Sequence, residues 1–271
     1  MISLSELEHS YALSTEAGWN QTPNDWRRIL TLTGEARFSI TAGDTLAATT
    51  VAILYSKRLA WIGMVLTAVQ HRGKGFARTL MRQALDYLDR RGVACIKLDA
   101  TEMGRPVYAR LGFVDERPVT RWRREPGARV APAPALEVQS AWSNSLLALD
   151  LEMFGADRSP LLRLLAEEEA YVAPGAGFAF ARPGRTAWYF GPCVSRDAET
   201  ARALLAAFLV RHAGEPSFLD ACDDHPGAVS MAEKAGYRPA RRLMRMLRGD
   251  ASCAQLASGP GIYALAGFEF G

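Results

Sequence analysis

At 271 residues the chain exceeds one typical domain, and 49% hydrophobic with 23% charged residues is ordinary for a globular protein. A net charge of +3 is too small over this length to argue for nucleic acid. No apolar run reaches membrane-spanning length, and MISLSELEHS lacks a basic segment ahead of an apolar core, so a cytoplasmic protein with neither nucleic acid nor membrane as partner is expected.

In chain order, Leu4, Leu7, Tyr11 and Ser14 fall at helical spacing, and Gly18 ends that pattern. Thr22-Pro23 reads as an N-cap followed by a first-turn proline, before Trp26, Ile29 and Leu30. Residues 36–41, 46–54 and 58–69 read as strands. A helix then runs to about Arg91, VACIKLDA is a buried strand, a short helix spans Arg105 to Leu111, and a strand begins at Phe113. Residues 125–135, EPGARVAPAPA, have little to bury and read as a linker. Beyond it the order partly repeats. Helices are predicted over Ala141–Met153, from Ser159-Pro160, over Asp197–His212 and over His225–Ala235. Strands are predicted at 177–182, 187–194, 217–221, 243–247 and 262–270, and Glu167-Glu168-Glu169 reads as a solvated helix end. This is an internal duplication. Cys95, Cys193, Cys222 and Cys253 lie far apart without a CxxC pair, so reduced buried thiols and no metal are expected.

The stretch WIGMVLTAVQHRGKGFARTLMR, Trp61 to Arg82, passes from strand to helix through a basic, glycine-rich turn. Backbone N–H groups at a helix start have no partner within the helix and sit at the positive end of its dipole, which makes an anion site. Arg72 and Lys74 add positive charge to it.

These residues resemble the GNAT (Gcn5-related N-acetyltransferase) family. Arg72, Gly75 and Ala77 match its signature R/Q-x-x-G-x-G/A, and Tyr108 to Phe113 match its Y-x-x-x-G-F segment after a strand and short helix. The ending IYALAGFEFG fits a bacterial tandem subfamily. The resemblance implies an α/β (α+β) acyl-CoA N-acyltransferase fold. It would hold two tandem GNAT-like domains, each a mixed, mostly antiparallel sheet flanked by helices. The divisions are a catalytic domain over residues 1–126, a linker over 127–135 and a degenerate GNAT-like domain over 136–271.

The same resemblance implies acetyl-CoA as donor. Backbone groups around Leu66, Thr67 and Val69 would pair with the pantetheine arm, and Arg72, Gly73, Lys74, Gly75, Phe76 and Ala77 would wrap the pyrophosphate. Tyr108 occupies the family's position for the acid that protonates the departing thiolate. Where the family often has an Asn contacting the cofactor arm, Thr101 stands. Glu16, Asp25, Glu102 or a water chain are open choices for the base. Trp19, Asn20 and Trp26, in the loop between the first helices, and Asp150 in the matching stretch of the second half, are candidate acceptor contacts; packing is the other use of both tryptophans.

In the second half the corresponding turn is Arg196-Asp197-Ala198-Glu199-Thr200-Ala201, with acids where the glycines were, and Ala232 falls where Tyr108 sits. That half is expected to have lost acetyl-CoA binding and to recognise or cover the acceptor, or to form a homodimer. His225 beside Asp223 and Asp224 reads as a helix cap. The expected activity is direct acetyl transfer to a small-molecule amine; a non-catalytic sensor or scaffold is the rival from another class.

Overall fold

The computed structural model describes residues 2, 6–127, 138–139 and 142–271. The first half runs α1 (Leu7–Glu16), α2 (Pro23–Thr33), β1 (Arg37–Ala42), β2 (Thr45–Leu54), β3 (Leu59–Thr67), α3 (Phe76–Arg90), β4 (Cys95–Ala100), α4 (Arg105–Ala109) and β5 (Val114–Arg124). The second runs α5 (Leu146–Phe154), α6 (Ser159–Leu165), β6 (Glu169–Ala173), β7 (Gly177–Arg182), β8 (Trp188–Ser195), α7 (Ala198–Arg211), β9 (Ser217–Cys222), α8 (Pro226–Lys234), β10 (Arg238–Gly249) and β11 (Ile262–Ala264). The element order of the first half is therefore repeated in full, with β11 appended.

Local chemistry explains several boundaries. Thr22 Oγ1 accepts the Asp25 N–H at 3.2 Å while Asp25 Oδ2 accepts the Thr22 N–H at 2.8 Å, a reciprocal cap that starts α2. Glu169, read from the sequence as part of a solvated helix end, instead opens β6. Its carboxylate is held by the Tyr171 hydroxyl at 2.7 Å and by His212 Nε2 at 2.9 Å. The helix expected over residues 141–153 begins at Leu146, and the strand expected over 262–270 stops at Ala264. The linker residues 128–135 lie outside the described residues. All four cysteines are buried and free.

The halves do not form separate sheets. One 11-stranded sheet runs β1-β2-β3-β4-β10-β5-β9-β8-β7-β6, with β11 on β8. Among the described strands only β3–β4 and β8–β9 are parallel. β10 thus lies beside β4 in the first half, and β5 beside β9 in the second, so each half gives its last strand to the other. The offset that carries Gly112 onto Gly236 also carries Val119 onto Leu243, and these two residues face each other in the β5–β10 ladder. A pseudo-twofold axis therefore passes between them.

Buried ion pairs follow the same symmetry. Leu98-Asp99-Ala100 on β4 matches Leu219-Asp220-Ala221 on β9. Arg245 from β10 grips Asp99 through two hydrogen bonds of 2.9 and 3.0 Å, and its counterpart Arg121 from β5 grips Asp220 through two of 2.7 Å.

Alternate strand residues feed different cores, as the two-residue side-chain period requires. Ala52, Ala60 and Ile62 pack with Met81, Leu85, Leu88, Tyr108 and Phe113 under α3 and α4. Val51, Ile53 and Trp61 join Trp26, Ile29, Leu149, Phe154, Leu162 and Phe270 on the opposite face, where both halves share one core.

Candidate active site

β3 and β4 are hydrogen-bonded only over Leu59–Trp61 and Cys95–Lys97. Beyond that they part. The cause is a bulge in β3: Thr49 pairs with Leu66 and Val51 with Gly63, so Met64 and Val65 together oppose Thr50. Met64 takes a positive φ of 51°, and Thr49 Oγ1 donates to its carbonyl at 2.8 Å. The result is an unpaired β3 edge over Ile62–Thr67, facing the end of β4. The Leu66 side chain is buried in the core, and the Thr67 carbonyl accepts a long hydrogen bond from Arg72 Nε at 3.4 Å. The Val69 N–H is engaged by Glu16 Oε2 at 3.3 Å, which commits Glu16 to holding this turn.

The turn then reaches α3 through Gly73 and Gly75, at φ of 78° and 80°, with Gly75 as the N-cap. Left-handed backbone at both positions is what favours glycine there. A Cβ on Gly73 would meet nothing within 4 Å, and one on Gly75 only Arg78 Nη2 at 3.7 Å, so the space over the turn is open. The first turn of α3 has no acid and no side-chain cap. Phe76 and Ala77 open the helix, and Lys74 Nζ lies 3.1 Å from His71 Nδ1 beside it. Open space, uncapped N–H groups and nearby cations suit a multiply charged anion.

A small, partly open cavity occupies the gap between the parted strands. Its inner wall is Ile62, Leu98, Thr101 and Tyr108; its outer wall is Trp19, Gln21, Arg121, Arg241, Leu243, Phe268 and Glu269. The first group includes residues of the core under α3 and α4, while Trp19 and Phe268 pack on the opposite core. The cavity therefore passes through the sheet from one face to the other.

Tyr108 is buried, packs edge-on against Phe113 at 6.3 Å, and has no hydrogen-bond partner for its hydroxyl among the described residues. Burial holds its phenol well above the usual tyrosine range, so it is protonated throughout the neutral range. Thr101 Oγ1 accepts the Gly104 N–H at 3.1 Å, fixing the turn into α4. A Cβ on Gly104 would sit 2.8 Å from the Tyr108 ring and 3.2 Å from its hydroxyl. Gly104→Ala is expected to displace the ring and lower kcat with little loss of stability; steady-state kinetics alongside thermal melting would check it, and an unchanged kcat would show that the ring's position is unimportant.

Of the residues expected at the acceptor, only Trp19 lines the cavity. Asn20 Oδ1 accepts from the Thr186 N–H and hydroxyl, each at 2.9 Å, and from the Ala187 N–H at 3.1 Å, while its Nδ2 donates to the Ala187 carbonyl. Its amide fastens the loop to the second half. Trp26 is wholly buried, with Nε1 donating to Ser14 Oγ at 3.0 Å. Asp150 is buried against Arg158, which also donates to the Gly271 carbonyl at 3.3 Å. Asp25 is paired with Arg182 at 2.9 Å, and Glu102 lies exposed outside the cavity.

The sequence reading missed the contribution of the tail. After β11 it crosses to the first half, where its carbonyls at Phe268 and Phe270 accept from Trp61 Nε1 and the Tyr55 hydroxyl, each at 2.8 Å. This seats Glu269 at the cavity. Its carboxylate accepts from Arg182 at 3.1 Å and from Gln21 Nε2 at 3.0 Å, and burial raises its pKa against the pull of Arg182. Gly63 leaves room for this approach, since a Cβ there would lie 3.2 Å from the Glu269 backbone.

The equivalent places in the second half are filled by the protein itself. Asp197 caps α7, accepting the Thr200 N–H at 2.7 Å, and this hydrogen bond holds its carboxyl below the usual range. β8 and β9 pair only at Trp188–Tyr189, and in the gap beyond lies the tail: β11 pairs with β8, and the Leu265 N–H donates to the Asp220 carbonyl at 2.8 Å. Gly191, at φ of 147°, permits this approach, since a Cβ there would lie 2.1 Å from the Leu265 carbonyl oxygen. Ala232 is buried where Tyr108 has its counterpart, and His225 caps α8 through Nδ1, with Nε2 on the Pro260 carbonyl.

The chain is similar to known proteins in sequence and in fold. A model of the acetyltransferase (GNAT) family matches residues 3–113, and one of an acetyltransferase (GNAT) domain matches residues 146–258. The chain is 24% identical over 238 residues to the uncharacterized N-acetyltransferase YitH of Bacillus subtilis, covering 83% of this chain and 82% of YitH. The crystal structure of a proposed acetyltransferase from Pyrococcus horikoshii superposes with a TM-score of 0.86 at 18% identity, over 100% of this chain and 94% of that one. A tandem GNAT protein from the clavulanic acid biosynthesis pathway gives a TM-score of 0.64 at 14% identity, over 90% and 94% of the two chains. With the element order repeated and both repeats matched, the chain belongs to the GNAT (Gcn5-related N-acetyltransferase) family, as two such domains in tandem.

Proposed function

We propose that the protein is an acetyl-CoA-dependent N-acetyltransferase acting on a small amine, with donor binding confined to the first half and the acceptor side shared by both. The observation that carries this reading is an asymmetry. The first-half helix start is uncapped and its strand gap open, whereas Asp197 and the chain's own tail fill both places in the second half.

The residues fit the donor. N–H groups from Gly73 to Ala77, with Arg72 and Lys74, hold the pyrophosphate, and the unpaired β3 edge takes the pantetheine arm as an added strand. Each charge-assisted hydrogen bond contributes about 1.5–3 kcal/mol. Acetyl-CoA supplies the activated acetyl group. The acceptor nitrogen, reaching the gap from the Trp19 side, forms the new C–N bond as the C–S bond breaks, with no acyl-enzyme. Tyr108 gives its proton to the departing sulfur and is reprotonated through water, which also carries away the proton shed by nitrogen on the side lined by Trp19 and Arg241.

Calorimetry with acetyl-CoA is expected to find one site per chain, lost in Gly75→Glu, which brings a carboxylate to the anion turn. Two sites, or none, would sink the division of labour. Acetyl-CoA incubated with a panel of amines is expected to release free thiol; binding without release with every amine would favour a sensor.

A further inference from the structure

We infer that the acceptor is an amine that also carries a carboxylate, a small amino acid in chemical class, and that Arg241 receives that carboxylate. This rests on the acetyltransferase reading above. Most of the charged side chains that line the cavity, Asp99 among them, are neutralised. Arg121 is neutralised by Asp220 through two hydrogen bonds of 2.7 Å, Asp99 by Arg245 at 2.9 and 3.0 Å, and Glu269 by Arg182 at 3.1 Å.

Arg241 is the exception. Among the described residues it has no carboxylate within ion-pairing distance; its guanidinium carbon lies 6.0 Å from the Trp19 ring centre. The acids close by are taken by other arginines, Asp223 by Arg242 at 2.9 Å and Asp224 by Arg117 at 3.3 Å. Arg241 also faces Arg121 across the β5–β10 ladder, so two guanidinium groups share one side of the cavity with only one carboxylate, Asp220, paired to them. Desolvation of its guanidinium, and after it the charge of Arg121, push the Arg241 pKa down against the pull of Asp220, although the residue as a whole stays exposed to solvent.

A planar fork held at the mouth over an aromatic ring is suited to bidentate carboxylate binding. A bare polycation would meet repulsion there. The recognition residue is supplied by β10, a strand of the second half, which gives that half a direct role in choosing what the first half acetylates.

The test uses matched pairs: amino acids, their amides and their decarboxylated amines, with acetyl-CoA as donor and thiol release as readout. The amino acids are expected to exceed their partners in kcat/KM by tenfold or more. Arg241→Gln should collapse that ratio mainly through KM, and Arg241→Lys should restore part of it. Equal use of acids and decarboxylated amines, or an Arg241→Gln variant that keeps the preference, overturns the inference. Titration of N-acetyl amino acids against their amides into the same protein reads the carboxylate site without turnover. A preference there that Arg241→Gln abolishes supports the inference even if no amine is acetylated, the outcome that would instead defeat the acetyltransferase reading. Equal binding of acid and amide, or binding of neither, overturns the inference.

Discussion

Tyr108→Phe is expected to lower kcat by about 10²–10⁴-fold, the usual contribution of a positioned acid, while acetyl-CoA affinity stays close to wild type. The substitution removes one atom whose role is chemical. The ring keeps its packing against Phe113 and its seat over Gly104, and the hydroxyl has no protein partner to lose among the described residues. Single-turnover kinetics with calorimetry on the same samples separates the two effects. An unchanged kcat would retire Tyr108 as the acid. The pH profile adds a second check. Burial raises the Tyr108 pKa, so its proton is retained as pH rises through the ordinary tyrosine value of about 10. Loss of this group's proton should therefore not limit kcat anywhere below about pH 10. A wild-type limb that falls earlier and disappears in Tyr108→Phe would contradict the raised pKa.

The backbone of the glycine turn was legible in the sequence because it depends on local chemistry, whereas Tyr108 was singled out through the family resemblance. Glycines at left-handed positions and a helix start free of acids can be read residue by residue. The duplication was legible for the same reason, through the two similar helices ARTLMRQAL and ARALLAAFL. Which strand lies beside which was not. The strand expected over 243–247 carried no sign of its neighbours, yet Arg245 within it is wholly buried against Asp99 of β4. The acceptor side was blurred by a related difficulty. Loop residues such as Asn20 are polar enough to bind a ligand, but whether an amide faces a cavity or a neighbouring backbone is decided by the packing of the second half. For Trp26 the signal was present: it shares a helical face with Ile29 and Leu30, and all three are buried. Glu269 gave no signal, because nothing local tells a tail acid that it will end beside Arg182, far away in sequence.

Asp99→Ala is expected to destabilise the whole molecule by about 3–5 kcal/mol, the cost of leaving a buried charge without its partner. Arg245 cannot escape by losing its proton, since a guanidinium stays charged in proteins. Both side chains are fully buried, and the remaining contacts of Arg245, the Ala257 carbonyl at 3.0 Å and the Trp61 ring at 4.5 Å, do not supply negative charge. Set against a typical domain stability of about 5–15 kcal/mol, the loss is large. The double variant Asp99→Ala/Arg245→Met should be more stable than Asp99→Ala alone, because it removes the stranded charge. Denaturant unfolding of the three variants measures this; a loss under about 1 kcal/mol would mean that the pair behaves like a surface ion pair. The exchange of strands predicts where the damage is felt. Arg245 comes from the second half and Asp99 from the first, so weakening their bond loosens β10 from β4 and, through the β5–β10 ladder, the sheet of the other half. Probes in the two halves should therefore lose structure in one shared transition, and two separate transitions would show that the exchanged strands do not couple the halves.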